Sequence, residues 1–416
     1  MSFISNLTSK RSGNSNSAKQ TKKQSQKGFK PVSQKKWAFG FLVAAALVYI
    51  FFQYIVPHTP QGFQSVIQNW LPPSSVNEAL VWVIAALGLN IVVGYAGLLD
   101  LGFVAFWAIG GYCAGWFMSD FFYQVKVHFL SESQNAIPGI HLSFWAVLLI
   151  GALVCAFFGL IIGAPTLRLK SDYLAIVTLG FGEIIPQVFT NGQDIDGFNI
   201  SNGTKGIAPV DSIGIFGKRL GPFDLDYKYL IYVFIAVVMV YISLRLRGGR
   251  LGRAWLAIRE DELAASMMGV PLMRSKLSAY AVGAFSGGLA GVAYATHVDG
   301  IFASRFNFSI SIILLAMVVL GGMGNVWGVI LGALIIAWVN STGLSALGNT
   351  INSNLHTNID FPSYTYLLFG GVLILMMLFR REGLLPEARL KLIMHETDKA
   401  EDNEQPHEFI SEEEDL

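Results

Sequence analysis

Ten apolar runs, separated by short polar breaks, occupy most of the chain between Trp37 and Phe379. Several of them reach or approach the roughly 20 residues that an α-helix needs to cross a bilayer. The strands of a membrane barrel alternate polar and apolar residues, and these runs do not. The sequence therefore predicts an all-α, polytopic membrane protein with about ten transmembrane segments.

Composition supports a membrane protein, because only 14% of the residues are charged, against about 25% in a soluble domain. Three runs are shorter than a full span, and the stretch Gly94–Gly102 is predicted to be either a link between two helices or a broken, re-entrant element. The ten segments are Trp37–Val56, Glu78–Gly94, Leu101–Met118, Phe144–Gly163, Tyr173–Thr190, Tyr229–Leu244, Leu277–His297, Ile310–Gly322, Val326–Thr342 and Tyr364–Phe379.

Lys and Arg are distributed unevenly between alternate loops. Residues 1–36 hold nine of them and no acidic residue, and with this segment inside the cell the cytoplasmic side holds 23 of the 29. The sequence thus predicts cytoplasmic N- and C-termini. It also predicts a disordered basic tail (1–36), a transmembrane domain (37–380) with an external loop at 191–228, and a cytoplasmic C-terminal tail (381–416).

No motif for catalysis, nucleotide binding or metal binding is present in the sequence. A P-loop ending in Gly-Lys-Ser/Thr, an HExxH zinc motif and a nucleophile elbow are all missing. Cys113 and Cys155 lie singly in apolar runs, without metal or redox spacing. We therefore expect a protein that is not an enzyme and that binds no metal, cofactor or nucleic acid.

The most polar segment between two predicted spans is Arg245–Lys276, called here the central loop. It carries seven Lys/Arg residues and the consecutive acids Glu260, Asp261 and Glu262. Good helix formers are followed by Gly269 and Pro271, which predicts a short amphipathic helix that ends in a turn. Its apolar face, formed by Ala254, Ala257, Leu263 and Met267, suits a groove in a partner protein, with residues 259–262 supplying charge. A basic loop that only fixes membrane orientation is the alternative.

Small residues recur every four positions in two predicted spans. Such ladders let helix backbones approach closely in lipid. They predict tight helix packing within the chain or with a partner subunit, the alternative being a pathway lined by glycine backbone. The ladders are Gly283, Gly287 and Gly291, and Gly324, Gly328 and Gly332.

Two acidic residues fall within or beside apolar runs, where charge is costly and often functional. Asp100 lies in GYAGLLDLG, and Glu183 lies in TLGFGEII beside Gly180 and Gly182. These four residues are candidates for a polar translocation pathway. Either acid equally suits the cap of a broken helix or an interface.

Several long motifs together resemble one family. They are VGYAGLLDLGFVAFWAIGGY (93–112), SDYLAIVTLGFGEI (171–184), GRAWLAIREDELAASMMGV (252–270), VVLGGMGNVWG (318–328) and REGLLP (381–386). In this order they resemble the LivM-type permease subunit of bacterial ABC importers for branched-chain amino acids. The resemblance covers roughly residues 78–386.

The resemblance implies an ATP-driven importer located in the bacterial inner membrane. It implies a heterodimer with a sister permease, two cytoplasmic ATPases that hold ATP and Mg, and a periplasmic or lipid-anchored substrate-binding protein. The ATPases would grip the central loop, whose family-like residues are Glu262, Ala264, Ala265 and Gly269, together with Arg259, Glu260 and Asp261. Leu263 interrupts the Glu-Ala-Ala pattern of other importers.

Two further functions remain as alternatives to amino-acid import. A urea or amide permease of the same family has similar motifs, because substrate choice resides largely in the binding protein. A self-sufficient secondary transporter or channel would need coupling residues, for which Asp100 and Glu183 are the candidates. A membrane-embedded enzyme lacks a catalytic set in this sequence.

Overall fold

The computed structural model describes residues 34–129, 138–169, 171–215, 218–220, 224–356, 359–380 and 383–385. Within these ranges the chain forms fourteen α-helices and five short strands. Nearly all of the two predicted tails, 1–36 and 381–416, lies outside the described residues. The chain divides into two units after Ala46, and the helical bundle belongs to the second unit, Leu47–Leu416.

The first seven helices lead up to the central loop, and the other seven form that loop and the remaining part of the bundle. The first set is α1 Gln34–Ile50, α2 Gln61–Trp70, α3 Pro73–Leu89, α4 Phe103–Phe117, α5 Phe144–Thr166, α6 Ser171–Asn191 and α7 Leu225–Gly248. The second set is α8 Arg250–Glu260, α9 Glu262–Met267, α10 Leu272–Val298, α11 Phe308–Gly321, α12 Val326–Trp338, α13 Leu344–Leu355 and α14 Thr365–Phe379.

The prediction of a polytopic helical membrane protein is confirmed. In the described part of the chain, eight helical segments are long and apolar enough to cross a membrane. Two more apolar helices, α4 and α11, are shorter, at 15 and 14 residues. At about 1.5 Å per residue, each is only about 22 Å long, less than the roughly 30 Å of a hydrocarbon core.

Helix α10 lies at the centre of the bundle and packs against α3, α4 and α5. The approach is close because glycines face one another, and a Cβ built on Gly288 would lie 2.6 Å from the Gly151 carbonyl oxygen of α5. Helix α12 packs against α3 and α11, and α7 also packs against α3. Thus α3 and α10 together form the buried core, and residues 79–89 of α3 are buried without exception.

At two interruptions of the helical structure the chain reverses its direction inside this bundle. After α3 the backbone widens into a π-helical turn, Asn90–Tyr95, and residues 96–102 are not helical before α4 begins. Between α11 and α12 the chain turns through Gly322 and Gly324, whose φ angles are +110° and +86°. Helices α3 and α4 run in opposite directions beside α10, with the Trp82 and Trp107 rings 4.7 Å apart. Residues 96–102 therefore link two helices, which is the first of the two predicted alternatives at Gly94–Gly102.

Among the residues that the structure describes, five short strands and one additional helix lie at the end of the bundle remote from the central loop, and the pattern of apolar runs does not predict them. Strands β1 Met118–Ser119, β2 Lys126–Phe129 and β3 Gly139–Leu142 form a sheet in the order β1-β3-β2. Strands β4 Gly214–Ile215 and β5 Lys218–Arg219 form a small hairpin within the predicted 191–228 loop. Helix α2, which is too polar to register as an apolar run, precedes α3.

Candidate coupling loop and translocation pathway

The central loop folds into two short helices, α8 and α9, rather than the single helix that the sequence predicts. Asp261 separates them, because its backbone is extended (φ −155°, ψ 111°) and its side chain accepts a hydrogen bond from the Ala264 amide. This is the N-cap geometry that Asp favours. In the sequence, the position of Asp261 directly before Glu262-Leu263-Ala264-Ala265 indicates the start of this second helix.

Side-chain contacts hold both helices against the start of α10. The buried indole of Trp255 on α8 donates to the Ser275 carbonyl at 2.9 Å and to the Ser278 hydroxyl at 3.1 Å. The Lys276 ammonium lies 2.5 Å from the Glu262 carboxylate of α9. These contacts make α8, α9 and the beginning of α10 one packed unit.

Gly269 forms the turn after α9, in agreement with the turn that the sequence predicts there. Its φ is +81°, and its amide donates to the Ser266 carbonyl at 3.0 Å. No atom of the described residues lies within 4 Å of a Cβ built at this position. The conformation of the backbone, not lack of space, is therefore what favours glycine here.

An exposed apolar surface covers α9 and the turn after it. Leu263, Met267 and Met268 are 68%, 78% and 85% exposed, whereas Ala265 is buried against the chain. Leu263 and Met267 belong to the face that the sequence predicts for a partner groove, and Met268 was missed. Ala254 and Ala257 of α8 are half-buried, and Ala264 is exposed. Contact of this surface with a partner remains a prediction.

The charged residues of the central loop are engaged largely within the chain. Arg259 points toward the π-helical turn, where its guanidinium donates to the Gly94 carbonyl. Asp261 caps α9 and Glu262 pairs with Lys276, while Glu260 is exposed. The predicted role of these four residues in partner docking stays a prediction.

Asp100 lies buried in the connection between the π-helical turn and α4. One carboxylate oxygen accepts from the Gly102 amide at 2.8 Å, and the other has no hydrogen-bond partner among the described residues. Burial raises the pKa of this carboxyl to about 6. Gly182 of α6 packs on Gly102, with its built Cβ 3.0 Å from the Gly102 Cα. These contacts place Asp100 inside the subunit.

Glu183 lies on the outward face of α6, unlike Asp100. Gly180 shares this face, since a Cβ built there meets no atom within 4 Å. Gln187 and Asn191 follow at four-residue intervals and are also exposed. The spacing of four residues between Glu183, Gln187 and Asn191 is the signal in the sequence that predicts this shared face. The outward polar face of α6 therefore consists of Glu183, Gln187 and Asn191.

The glycine ladders meet neighbouring helices of the same chain. Built Cβ atoms at Gly283, Gly287 and Gly291 of α10 come within 2.8 Å of Val92, Phe106 and Trp107 respectively. Those at Gly328 and Gly332 of α12 come within 2.4 Å of carbonyl oxygens of α11. Gly324 lies in the turn before α12 and not on the helix.

The described residues form a helical bundle with eight segments able to cross a membrane, and its most polar loop folds into a packed pair of helices. This is the architecture of a polytopic membrane protein. The chain belongs to the family described as branched-chain amino acid transport system permease component, whose model matches residues 73–377.

Individual relatives agree with this family. The chain is 34% identical over 334 residues to the high-affinity branched-chain amino acid transport system permease protein LivM of Escherichia coli K12, covering 75% of this chain and 69% of that protein. A probable LivM of Methanocaldococcus jannaschii is 27% identical, covering 75% and 93%. The fructose import permease protein FrcC of Rhizobium meliloti is 28% identical, covering 53% and 58%. No solved structure matches the chain at a comparable level.

Proposed function

We propose that this chain is the permease subunit of an ABC importer that moves branched-chain amino acids across the bacterial inner membrane. Membership of the permease family carries this proposal. The packed pair α8–α9 supports it, because an ATP-driven permease without its own ATPase motif needs a rigid element that partner subunits can push. Substrate passes by alternating access as the spanning helices respond to that movement.

The partner ATPases dock on the exposed apolar surface of α9. Leu263, Met267 and Met268 present flexible apolar side chains at the tip of the unit formed by α8, α9 and the start of α10. A helix with such a face fits a hydrophobic groove of a partner protein. ATP and Mg are held by these ATPases and not by this chain.

A sister permease packs against the outward polar face of α6. A carboxylate exposed to lipid near the middle of a spanning helix costs several kcal/mol, so Glu183 requires a polar surrounding. A second permease that faces α6 supplies it and encloses a pathway between the two subunits. The substrate-binding protein then docks at the opposite end from α8–α9, on the segment 191–228 and the sheet β1-β3-β2.

The membrane orientation follows from the charge distribution, with both termini and the central loop in the cytoplasm. Import of a different substrate, such as a sugar, is the alternative function, because the relatives include a fructose import permease. Urea and amides are further candidate substrates for a permease of this architecture. The binding protein that accompanies this chain decides between these substrates.

The test is affinity capture of the detergent-solubilised complex, followed by reconstitution into vesicles. We expect a sister permease and two ATPases to co-purify, and ATP-dependent uptake of leucine, isoleucine or valine that exceeds uptake of fructose or urea. Met267→Glu should abolish ATPase co-purification, whereas Phe198→Glu, an equally exposed residue in the 191–228 segment, should not. Gradient-driven uptake by this chain alone, without ATP, would refute the proposal in favour of a secondary transporter.

A further inference from the structure

The C-terminal end of α8 is seated on the interruption that follows α3. The Arg259 guanidinium donates to the Gly94 carbonyl, which belongs to the π-helical turn. The aliphatic part of the side chain lies over Gly97, where a built Cβ would be 2.9 Å from Arg259 Cγ and 3.2 Å from its Cα. Gly97 has a φ of +69°. A larger residue at position 97 would hold α8 away from the turn.

The same π-helical turn is joined to the second interruption, between α11 and α12. The side-chain oxygen of Asn90 accepts a hydrogen bond from the Gly324 amide at 2.9 Å, and both groups are buried. A Cβ built on Gly94 would lie 2.6 Å from the Gly324 nitrogen. The two interruptions are therefore in direct contact, with one Asn side chain between them.

A short segment near the end of the described chain closes the far side of the second interruption. Leu384 and Leu385 donate their amides to the Leu320 and Gly321 carbonyls at 2.8 and 3.1 Å. The side-chain amide nitrogen of Asn325 donates in return to the Leu385 carbonyl at 2.9 Å. These bonds satisfy carbonyls that the end of α11 would otherwise leave unpaired.

We propose that Arg259 is the positioning residue that transmits movement of α8–α9 to the helix pairs α3–α4 and α11–α12, through Gly94, Asn90 and Gly324. This inference rests on the proposed function and deepens it. Trp255 and the Lys276–Glu262 pair hold α8, α9 and the start of α10 together, so the unit moves as one body when a partner pushes it. Arg259 is its link to the turn after α3.

Arginine suits this role better than lysine. Its planar guanidinium offers five donors in a fixed arrangement, so one group can hold a carbonyl while the stem packs on glycine. Because the acceptor is a backbone carbonyl, displacement of Arg259 acts directly on the backbone of the turn. Residues 96–102 are the non-helical connection between α3 and α4, so a displaced turn changes how these two helices are joined.

The experiment uses the full complex with its sister permease and ATPases, reconstituted into vesicles, and measures ATP hydrolysis and uptake side by side. Arg259→Met keeps the aliphatic stem over Gly97 and removes the donors. It should lower the amount of amino acid taken up per ATP hydrolysed by about tenfold. Arg259→Lys should restore part of the uptake. The matched control is Arg253→Met on the same helix, since Arg253 is exposed and donates only locally, to the Gly248 carbonyl.

Three results would overturn the inference. Normal coupling in Arg259→Met would show that the link is not needed. Loss of ATPase co-purification in that variant would make Arg259 a docking contact instead. If Arg259→Met does not accumulate in the membrane, Asn90→Ala carries the test, and normal coupling there would be equally decisive. Absence of ATP-driven amino-acid uptake by the unaltered complex would refute the proposed function itself, which is a separate outcome.

Discussion

At the scale of single residues, glycine determines how closely the helices of this subunit approach. Backbone atoms, not flexible side chains, occupy the space beside several glycines of α10. In a bilayer, where association of helices gains little from the hydrophobic effect, this close packing is a main source of stability. Glycine is therefore required at these positions because the neighbouring helix lies too close for a Cβ atom.

Replacement of Gly291 by alanine tests this packing. The new Cβ would lie 2.3 Å from the Trp107 carbonyl oxygen and 2.6 Å from the Gly111 nitrogen, and no side-chain rotation relieves either contact. We expect a loss of about 1–3 kcal/mol, measured as a lower thermal midpoint of the purified protein in detergent. Gly370→Ala on α14 is the matched control, because nothing lies within 4 Å of its Cβ. Equal midpoints for the two variants would contradict the packing role.

Asn90 illustrates what a single sequence hides at this scale. It stands inside an apolar run, and only the fold shows that its side chain joins two helix interruptions that are 234 positions apart. By contrast, Glu183 and Asp100 were found from their charge alone. Their opposite environments, one exposed and one buried, depend on which face of each element meets the bundle, and the apolar pattern of residues 173–190 does not define a face.

At the scale of elements, the existence and type of the spanning helices followed from the length of the apolar runs. Their ends did not, because helices continue past the apolar run wherever the bundle or an interface accepts polar residues. Thus α12 continues through a π-helical turn, Val339–Gly343, into α13, which ends at Leu355. The predicted span stopped at Thr342. The strands β1 to β5 are too short for their alternation to be recognised.

The turn after α9 provides a test at the element scale. Proline cannot adopt the φ of +81° found at Gly269, and it would remove the amide that bonds to the Ser266 carbonyl. We expect Gly269→Pro to uncouple ATP hydrolysis from uptake in reconstituted vesicles, with a cost of about 3 kcal/mol or more to the local turn. Gly269→Ala isolates the φ effect and should have a smaller effect of about 1 kcal/mol. Normal uptake by the proline variant would rule out a coupling role for this turn.

At the scale of the whole molecule, the charge distribution predicts which surface faces the cytoplasm. Both native cysteines are buried, so we expect them to react slowly with thiol reagents. Labelling of an introduced cysteine can then be measured without interference from them. Thr204→Cys, in the 191–228 segment, should react with a membrane-impermeant maleimide in intact cells or spheroplasts. Arg250→Cys, at the start of α8, should react only after permeabilisation. The reverse pattern would invert the topology and remove α8–α9 from the reach of cytoplasmic ATPases.

The two short helices, α4 and α11, have a consequence for the choice of lipid. Residues 103–115 of α4 are all buried, so other helices and not acyl chains surround it. The lipid-facing surface belongs instead to longer helices such as α5, which exposes Leu149, Leu153 and Phe157. A mismatch between helix length and bilayer thickness therefore acts on the peripheral helices, which are long enough to adjust by tilting. Helix α4 is therefore insulated from membrane thickness, and we expect the transport core to tolerate bilayers of different composition.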